Sequence, residues 1–317
     1  TSLQLVFSTT ILLLLYFQNS VLVFTYGSYG FVSERSPCAC RICVADRGNS
    51  NWFSERYDPN VPILLNSTNS VLSTNVSRWW KLQIVPNAGN YTEVVDQLFP
   101  LFPDKEHYSD AGPDRCRTCA VVGNSGNLLG SNYGPLIDFH DFCFSLRINK
   151  GPTEGYEKDV GSKTTHRIVY PESAMDLDNS THLVLLPVKI LDIQWLISAF
   201  TTKNITQTYT KVPSTIKANK DKVMILHPEF IRYVYDNWTE GHGLYPSTGF
   251  LTLIFALHIC DEVNIFGFGA TSDGIWHHYF EKILTSYEIG IHAGRFENET
   301  INRLQQENKI LIHKGWT

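Results

Sequence analysis

The chain has 317 residues, enough for one large core or two small ones, and its net charge of −5 at pH 7 lacks the basic surplus of a nucleic-acid binder. Seven Trp and fifteen Tyr make it rich in aromatics, which suits stacking on sugars, although most aromatics serve a core. The first element is apolar. From Leu3 to Phe24 the stretch LQLVFSTTILLLLYFQNSVLVF carries no charge. At about 1.5 Å of rise per residue it is long enough to cross the roughly 30 Å hydrocarbon layer of a bilayer. It shows no small-residue cleavage site, so it reads as an anchor rather than a removed signal peptide. Residues 1–25 are expected to be a transmembrane signal-anchor, 26–36 a short stem, and 37–317 the domain beyond the membrane.

Glycosylation sequons fix the side. N-x-S/T begins at Asn66, Asn75, Asn90, Asn179, Asn204, Asn237 and Asn298, which predicts a lumenal domain on a single-pass, type II chain. The cysteines agree. CACRIC supplies Cys38, Cys40 and Cys43, CRTC supplies Cys116 and Cys119, and Cys143 and Cys260 stand apart. C-x-x-C spacing would suit zinc in a reducing compartment, but an oxidising lumen favours disulfides. The odd count leaves one thiol, and Cys143, in the apolar run DFCFSLRI, is the expected free one. Pairing among the others stays open at this level.

Beyond residue 117 short branched apolar runs alternate with helical patterns. Strands are predicted at 118–122, 142–148, 167–170, 182–188, 223–226, 263–268 and 310–313, and helices at 193–200, 229–238, 247–259 and 299–308. Nothing divides the chain, so the pattern predicts one α/β domain with a mostly parallel sheet of about seven strands. Ligands of such sheets sit beyond the carboxyl ends of the strands. VVGNSGNLLG, residues 121–130, lies at such an end. Its glycines fit neither the dinucleotide fingerprint, nor the P-loop, nor the nucleophile elbow, so it predicts a nucleotide loop of another kind.

Three later segments carry candidate chemistry. In GHGLYPSTGFLTLIFALHIC, Ser247, Thr248 and Gly249 open a long apolar helix, whose free N–H groups and dipole suit a phosphate. IWHHYFEK places a His pair beside Tyr279 and Glu281, and His292 is followed five residues on by Glu297. Histidine titrates near neutrality and is the usual acceptor of a sugar hydroxyl proton. The spacing of His277, His278 and His292 matches no zinc motif. Asp176-Leu177-Asp178 has the D-x-D form of a metal-diphosphate site, but it abuts a sequon in a polar loop and reads as solvated surface.

In this order the segments resemble the animal sialyltransferases. Residues 116–160, CRTCAVVGNSGNLLGSNYGPLIDFHDFCFSLRINKGPTEGYEKDV, are similar to the family's large motif, and HPEFIRYVYDNWTEGHGLYPSTGFLTLIF to its small motif. HHYFE resembles the third motif, and His292 with Glu297 the very small one. CACRIC further resembles the β-galactoside α-2,3-sialyltransferases acting on Galβ1-3GalNAc. The resemblance implies a variant A-type, Rossmann-like glycosyltransferase fold, stapled by disulfides Cys38–Cys43, Cys40–Cys116 and Cys119–Cys260. Residues 37–317 would then be a lumenal catalytic domain in the Golgi.

The donor implied is CMP-sialic acid, with no metal and no other cofactor. Its acceptors would be galactose-terminated glycans on glycoproteins or glycolipids. By the same resemblance Ser125, Asn127 and Asn149 would contact the nucleotide, and Ser247, Thr248 and Gly249 its ribose or phosphate. His278 would bind the departing phosphate, His292 would be the general base, and Glu297 would support the final motif. Gln83, Tyr170, Tyr209 and Tyr245 match positions lining the donor and acceptor pockets. Leu244 stands where relatives often carry a basic residue, and Phe280 where they often carry Trp. The competing readings are a metal-dependent transferase of another nucleotide sugar, and an inactive membrane-anchored glycan binder.

Overall fold

A computed structural model describes residues 37–315, apart from 47, 49, 82–89, 106, 109–111, 141–143, 271–276 and 282–290. The expected anchor and stem, Gln83 and Cys143 all lie outside the described residues. Among the described residues no helix is long and apolar enough to cross a membrane.

The branched apolar runs form strands β1 (Thr118–Val122), β2 (Phe144–Ile148), β3 (His166–Val169), β4 (His182–Leu185), β5 (Val223–Ile225), β6 (Glu262–Phe266) and β7 (Leu311–His313). They make one sheet in the order β5-β4-β3-β2-β1-β6-β7, and every neighbouring pair is parallel. In the centre Cys119 pairs with Phe144 on one side and Val263 on the other. Several strands are shorter than the apolar runs suggested. Apolar residues just past a strand, such as Leu186 and Val188, are buried in the core beyond its assigned end.

Before the first strand lie helices α1 (Thr74–Lys81) and α2 (Tyr91–Leu98), and between the strands α3 (Gly134–Phe139), α4 (Glu157–Val160), α5 (Ile190–Phe200), α6 (Pro228–Tyr233), α7 (Thr248–Ile259) and α8 (Gly294–Gln306). Local chemistry sets their starts. Pro228 opens α6 behind His227, whose ring nitrogen accepts the Glu229 N–H at 3.0 Å. Helix α6 then widens into a π turn over Val234–Trp238. Ser247 caps α7 by accepting the Phe250 N–H at 3.1 Å.

Side chains alternate across the sheet with the strand period of two. Cys119 and Val121 join Ile168, Val184 and Ile265 on the face covered by α6 and α7. Leu183 and Leu185 face the opposite layer with Ile193 and Leu196 of α5. Helix α7 is apolar on all sides because it is buried on all sides, with Leu251, Leu253 and Ile254 fully enclosed. Each such side chain contributes about 1.5–3 kcal/mol.

Three disulfides join Cys38–Cys43, Cys40–Cys116 and Cys119–Cys260, the pairing that the family resemblance implied. The third runs from β1 to the end of α7 across 141 residues of chain, so it ties the central strand to the helix that leads into β6. Replacing Cys119 and Cys260 together by Ala is expected to lower stability by about 2–5 kcal/mol, read from the denaturant midpoint. An unchanged midpoint would show that this bridge constrains nothing.

Candidate active site

The strand order sets where the site lies. From β1 the chain builds outward through β2, β3, β4 and β5, then returns through α7 to place β6 on the other side of β1. That reversal leaves a crevice at the carboxyl ends of β1 and β6, the usual ligand position in such sheets. A cavity of about 480 Å³ opens there.

Both strands end in glycine at the cavity. Gly123 follows β1, and a Cβ on it would stand 2.3 Å from the carbonyl oxygen of Gly267, which follows β6 with φ of 69°. The Gly123 N–H donates to the Phe266 carbonyl at 2.8 Å, and the Ser125 N–H to that of Gly267 at 3.1 Å. The Ser125 hydroxyl then donates to the Gly269 carbonyl at 2.7 Å. Asn127 is buried beneath this layer; its amide donates to the Phe268 carbonyl at 2.9 Å, and its side-chain oxygen has no partner among the described residues. Asn124 of the same loop lines the cavity.

Asn149 lines the opposite wall with φ of 52° and is held from behind. Ser173 donates its hydroxyl to the Asn149 side-chain oxygen at 2.9 Å. Arg167 donates to the carbonyls of Asn149 at 3.1 Å and Gly151 at 2.8 Å. Tyr279 donates its hydroxyl to the Pro152 carbonyl at 2.6 Å, and Asn124 its amide to that of Ile148 at 3.2 Å. The turn after β2 is thus gripped at successive carbonyls.

The start of α7 forms the next wall. Ser247 gives its N–H to one Glu297 oxygen at 2.7 Å and its hydroxyl to the other at 2.6 Å. With Phe250 taken by the Ser247 cap, the N–H groups of Thr248 and Gly249 have no protein acceptor among the described residues, and both residues line the cavity. Glu297 sits in the first turn of α8 and is 5% exposed. Burial pushes its carboxyl up, while the Ser247 hydrogen bonds and nearby His292 pull the other way.

His292 precedes α8 and lines the cavity. Its Nδ1 lies 2.9 Å from the Tyr245 carbonyl, and its ring meets the Tyr245 ring edge-on at 4.9 Å. A carbonyl only accepts, so Nδ1 carries the proton and Nε2 of the neutral ring keeps its lone pair. His278 enters from the other side. Its Nδ1 is 3.1 Å from Glu281, its backbone bridges to Ser125, and its ring stacks on Phe280 at 5.0 Å.

Tyr170, Tyr209 and Tyr245 complete the wall beside His292. Burial pushes all three phenols up, that of Tyr245 to about 12, so they are neutral donors. Asp176 and Asp178 take no part. Asp176 accepts the Lys217 N–H at 2.9 Å, and Asp178 those of Ser180 at 2.7 Å and Thr181 at 2.9 Å, as turn formers on the surface. Among the described residues no cluster of His, Cys, Asp and Glu is placed to hold a metal. The sequons Asn75, Asn90, Asn179 and Asn204 are exposed, Asn66 and Asn237 are half-buried, and Asn298 lies on the cavity rim beside Glu297.

The geometry can be set beside known proteins. Residues 64–309 match the family model described as glycosyltransferase family 29 (sialyltransferase). CMP-N-acetylneuraminate-beta-galactosamide-alpha-2,3-sialyltransferase 1 of Mus musculus is 45% identical over 99% of this chain and 94% of the mouse protein. The Gallus gallus protein of the same name is 46% identical over 89% of this chain and 83% of its own. The crystal structure of a mammalian sialyltransferase in complex with Gal-beta-1-3GalNAc-ortho-nitrophenol superposes with a TM-score of 0.81 at 47% identity, covering 88% of this chain and 100% of that one. The sheet therefore belongs to a known architecture, and the chain is a member of glycosyltransferase family 29, the sialyltransferases.

Proposed function

We propose that this protein moves sialic acid from CMP-sialic acid to the 3-hydroxyl of terminal galactose in Galβ1-3GalNAc glycans. It does so with inversion and without a metal, from a membrane-anchored lumenal domain of the Golgi. The observation that carries the reading is the Nδ1 contact of His292 with the Tyr245 carbonyl, which aims a free Nε2 at the cavity. The galactose 3-hydroxyl gives its proton to Nε2 as its oxygen bonds to the anomeric carbon. The bond from that carbon to the phosphate oxygen breaks, and CMP leaves with the electron pair.

Bond breaking runs ahead of bond making in an oxocarbenium-like state, so negative charge grows on the phosphate. The N–H groups of Thr248 and Gly249 and the positive end of α7 stand where that charge develops. With Nδ1–H of His278 donated to Glu281, a doubly protonated ring also presents Nε2–H to the phosphate. Glu297 is the tie between the halves. It holds Ser247 at the helix start while standing one turn from the base. Asn124 and Asn149 frame the nucleotide between the two strand ends.

The test uses the chain with CMP-sialic acid and Galβ1-3GalNAc in EDTA, beside its His292→Ala variant. The parent is expected to transfer to the galactose 3-position, and the variant to lose about 10²–10⁴ in kcat, the usual worth of a general base. Loss of transfer in EDTA would return the metal-dependent alternative, and CMP binding without transfer to any galactoside would leave a glycan binder. Glu297→Gln is expected to cost about 10–100-fold in kcat, because a carboxamide meets the two Ser247 donors with only one acceptor. Initial rates check it, and an unchanged kcat would remove Glu297 from the mechanism.

A further inference from the structure

One buried charge cluster lies under the cavity wall and takes no part in the chemistry above. Lys189 is 3% exposed and Asp192 is fully buried. Asp192 caps α5, with one oxygen accepting the N–H groups of Val188 at 2.9 Å and Lys189 at 3.1 Å, and the other lying 2.5 Å from the Lys189 ammonium. The same ammonium stands 3.6 Å from a Glu172 oxygen and 4.4 Å from the centre of the Tyr209 ring. Glu172 also accepts the hydroxyl of Thr208, the neighbour of Tyr209, while its second oxygen is buried without a partner.

Taking three charges out of water is costly, and one cation between two carboxylates does not stabilise a fold better than packed apolar residues would. The cluster's outward contacts show what it holds. Tyr209 is 42% exposed and lines the cavity from residues 206–212, which fold back on themselves. That turn is anchored twice, by Thr208 on Glu172 and by the Tyr209 ring on Lys189. Glu172 stands two residues after Tyr170 in its turn, and Val188 carries the cavity wall into α5. Tyr245, which packs against the base, completes the same wall.

We propose that Glu172, Lys189 and Asp192 are positioning residues for the acceptor: they lock Tyr209 and its turn into the wall beside His292, so that the galactoside meets a preformed surface. This rests on the reading of His292 as base, which makes its side of the cavity the acceptor's. The cation fixes the ring by a cation–π contact worth more when desolvated, and the hydroxyl fixes the backbone beside it.

The measurement is the KM of each substrate, with acceptor binding followed by calorimetry so that it does not depend on turnover. Thr208→Val leaves the charges in place and is expected to raise the acceptor KM about fivefold, with the donor KM within about twofold and kcat little changed. Lys189→Met is expected to raise it further and Lys189→Arg to restore it, since either cation can sit over the ring. Added to Tyr209→Ala, Thr208→Val is expected to do nothing more, because both act through one ring. Equal rises in both KM values, additive effects, or a lower melting temperature with neither KM moved would overturn the proposal. A parent that neither binds nor sialylates the galactoside would sink the functional reading with it.

Discussion

The approach of Gly123 to Gly267 is the contact on which the site depends. These residues end the two strands between which the chain reverses direction across the sheet; a Cβ on Gly123 would meet the Gly267 carbonyl, and one on Gly267 the Leu128 side chain. The same approach lets Ser125 and Asn127 reach the carbonyls of Gly269 and Phe268, so the loop after β1 is fastened to the segment after β6 rather than left to solvent. Cys119–Cys260 fixes the far ends of the same two segments. Strand, helix α7 and loop thus share one frame, and the cavity is what remains between them.

On that frame a single carboxylate joins the two chemical halves. A buried carboxylate costs several kcal/mol in desolvation, and Glu297 offsets this with two charge-assisted hydrogen bonds from Ser247, each worth about 1.5–3 kcal/mol. The balance holds only while Ser247 stays in place, and Ser247 sets the first turn of α7. The start of α8, just after the proposed base His292, and the start of α7, at the proposed phosphate site, are therefore held to one another.

Much of this was legible in the sequence, and the rest was not for stateable reasons. Periodicity finds β1 to the residue because its apolar run ends at a glycine, and it finds α7 because Ser247 follows Pro246. Helix α8 begins five residues earlier than its pattern suggests, at Gly294 against the expected 299, because its first turn is held by Glu297 rather than by an apolar face. Helices α1 and α2 went unseen, being short and polar. Within one loop, which asparagine the Phe268 carbonyl captures depends on the segment after β6, and composition does not carry that. Arg167 and Lys189 look like ordinary surface charges in sequence, and only the pairing of β3 and the cap of α5 put them beneath the cavity.

Phe280 and Leu244 stand where the family resemblance implies Trp and a basic residue, and each sits beside a different histidine. Phe280 stacks on the His278 ring at 17° between planes, so a smaller ring still gives that imidazole a flat support. Leu244 is 58% exposed, with its N–H given to the Ile291 carbonyl at 2.8 Å, directly before the base. The wall beside Leu244 and His292 is built from phenols that burial keeps neutral. The charges of that wall lie underneath it, in Glu172, Lys189 and Asp192. On the proposed function an acceptor would meet rings, hydroxyls and alkyl groups, which read the shape and hydroxyl pattern of a neutral sugar, while the anionic donor would be met by the N–H groups at the start of α7 and by His278. On that reading, opposite chemistries on the two walls would assign each substrate its side before either reacting group is reached.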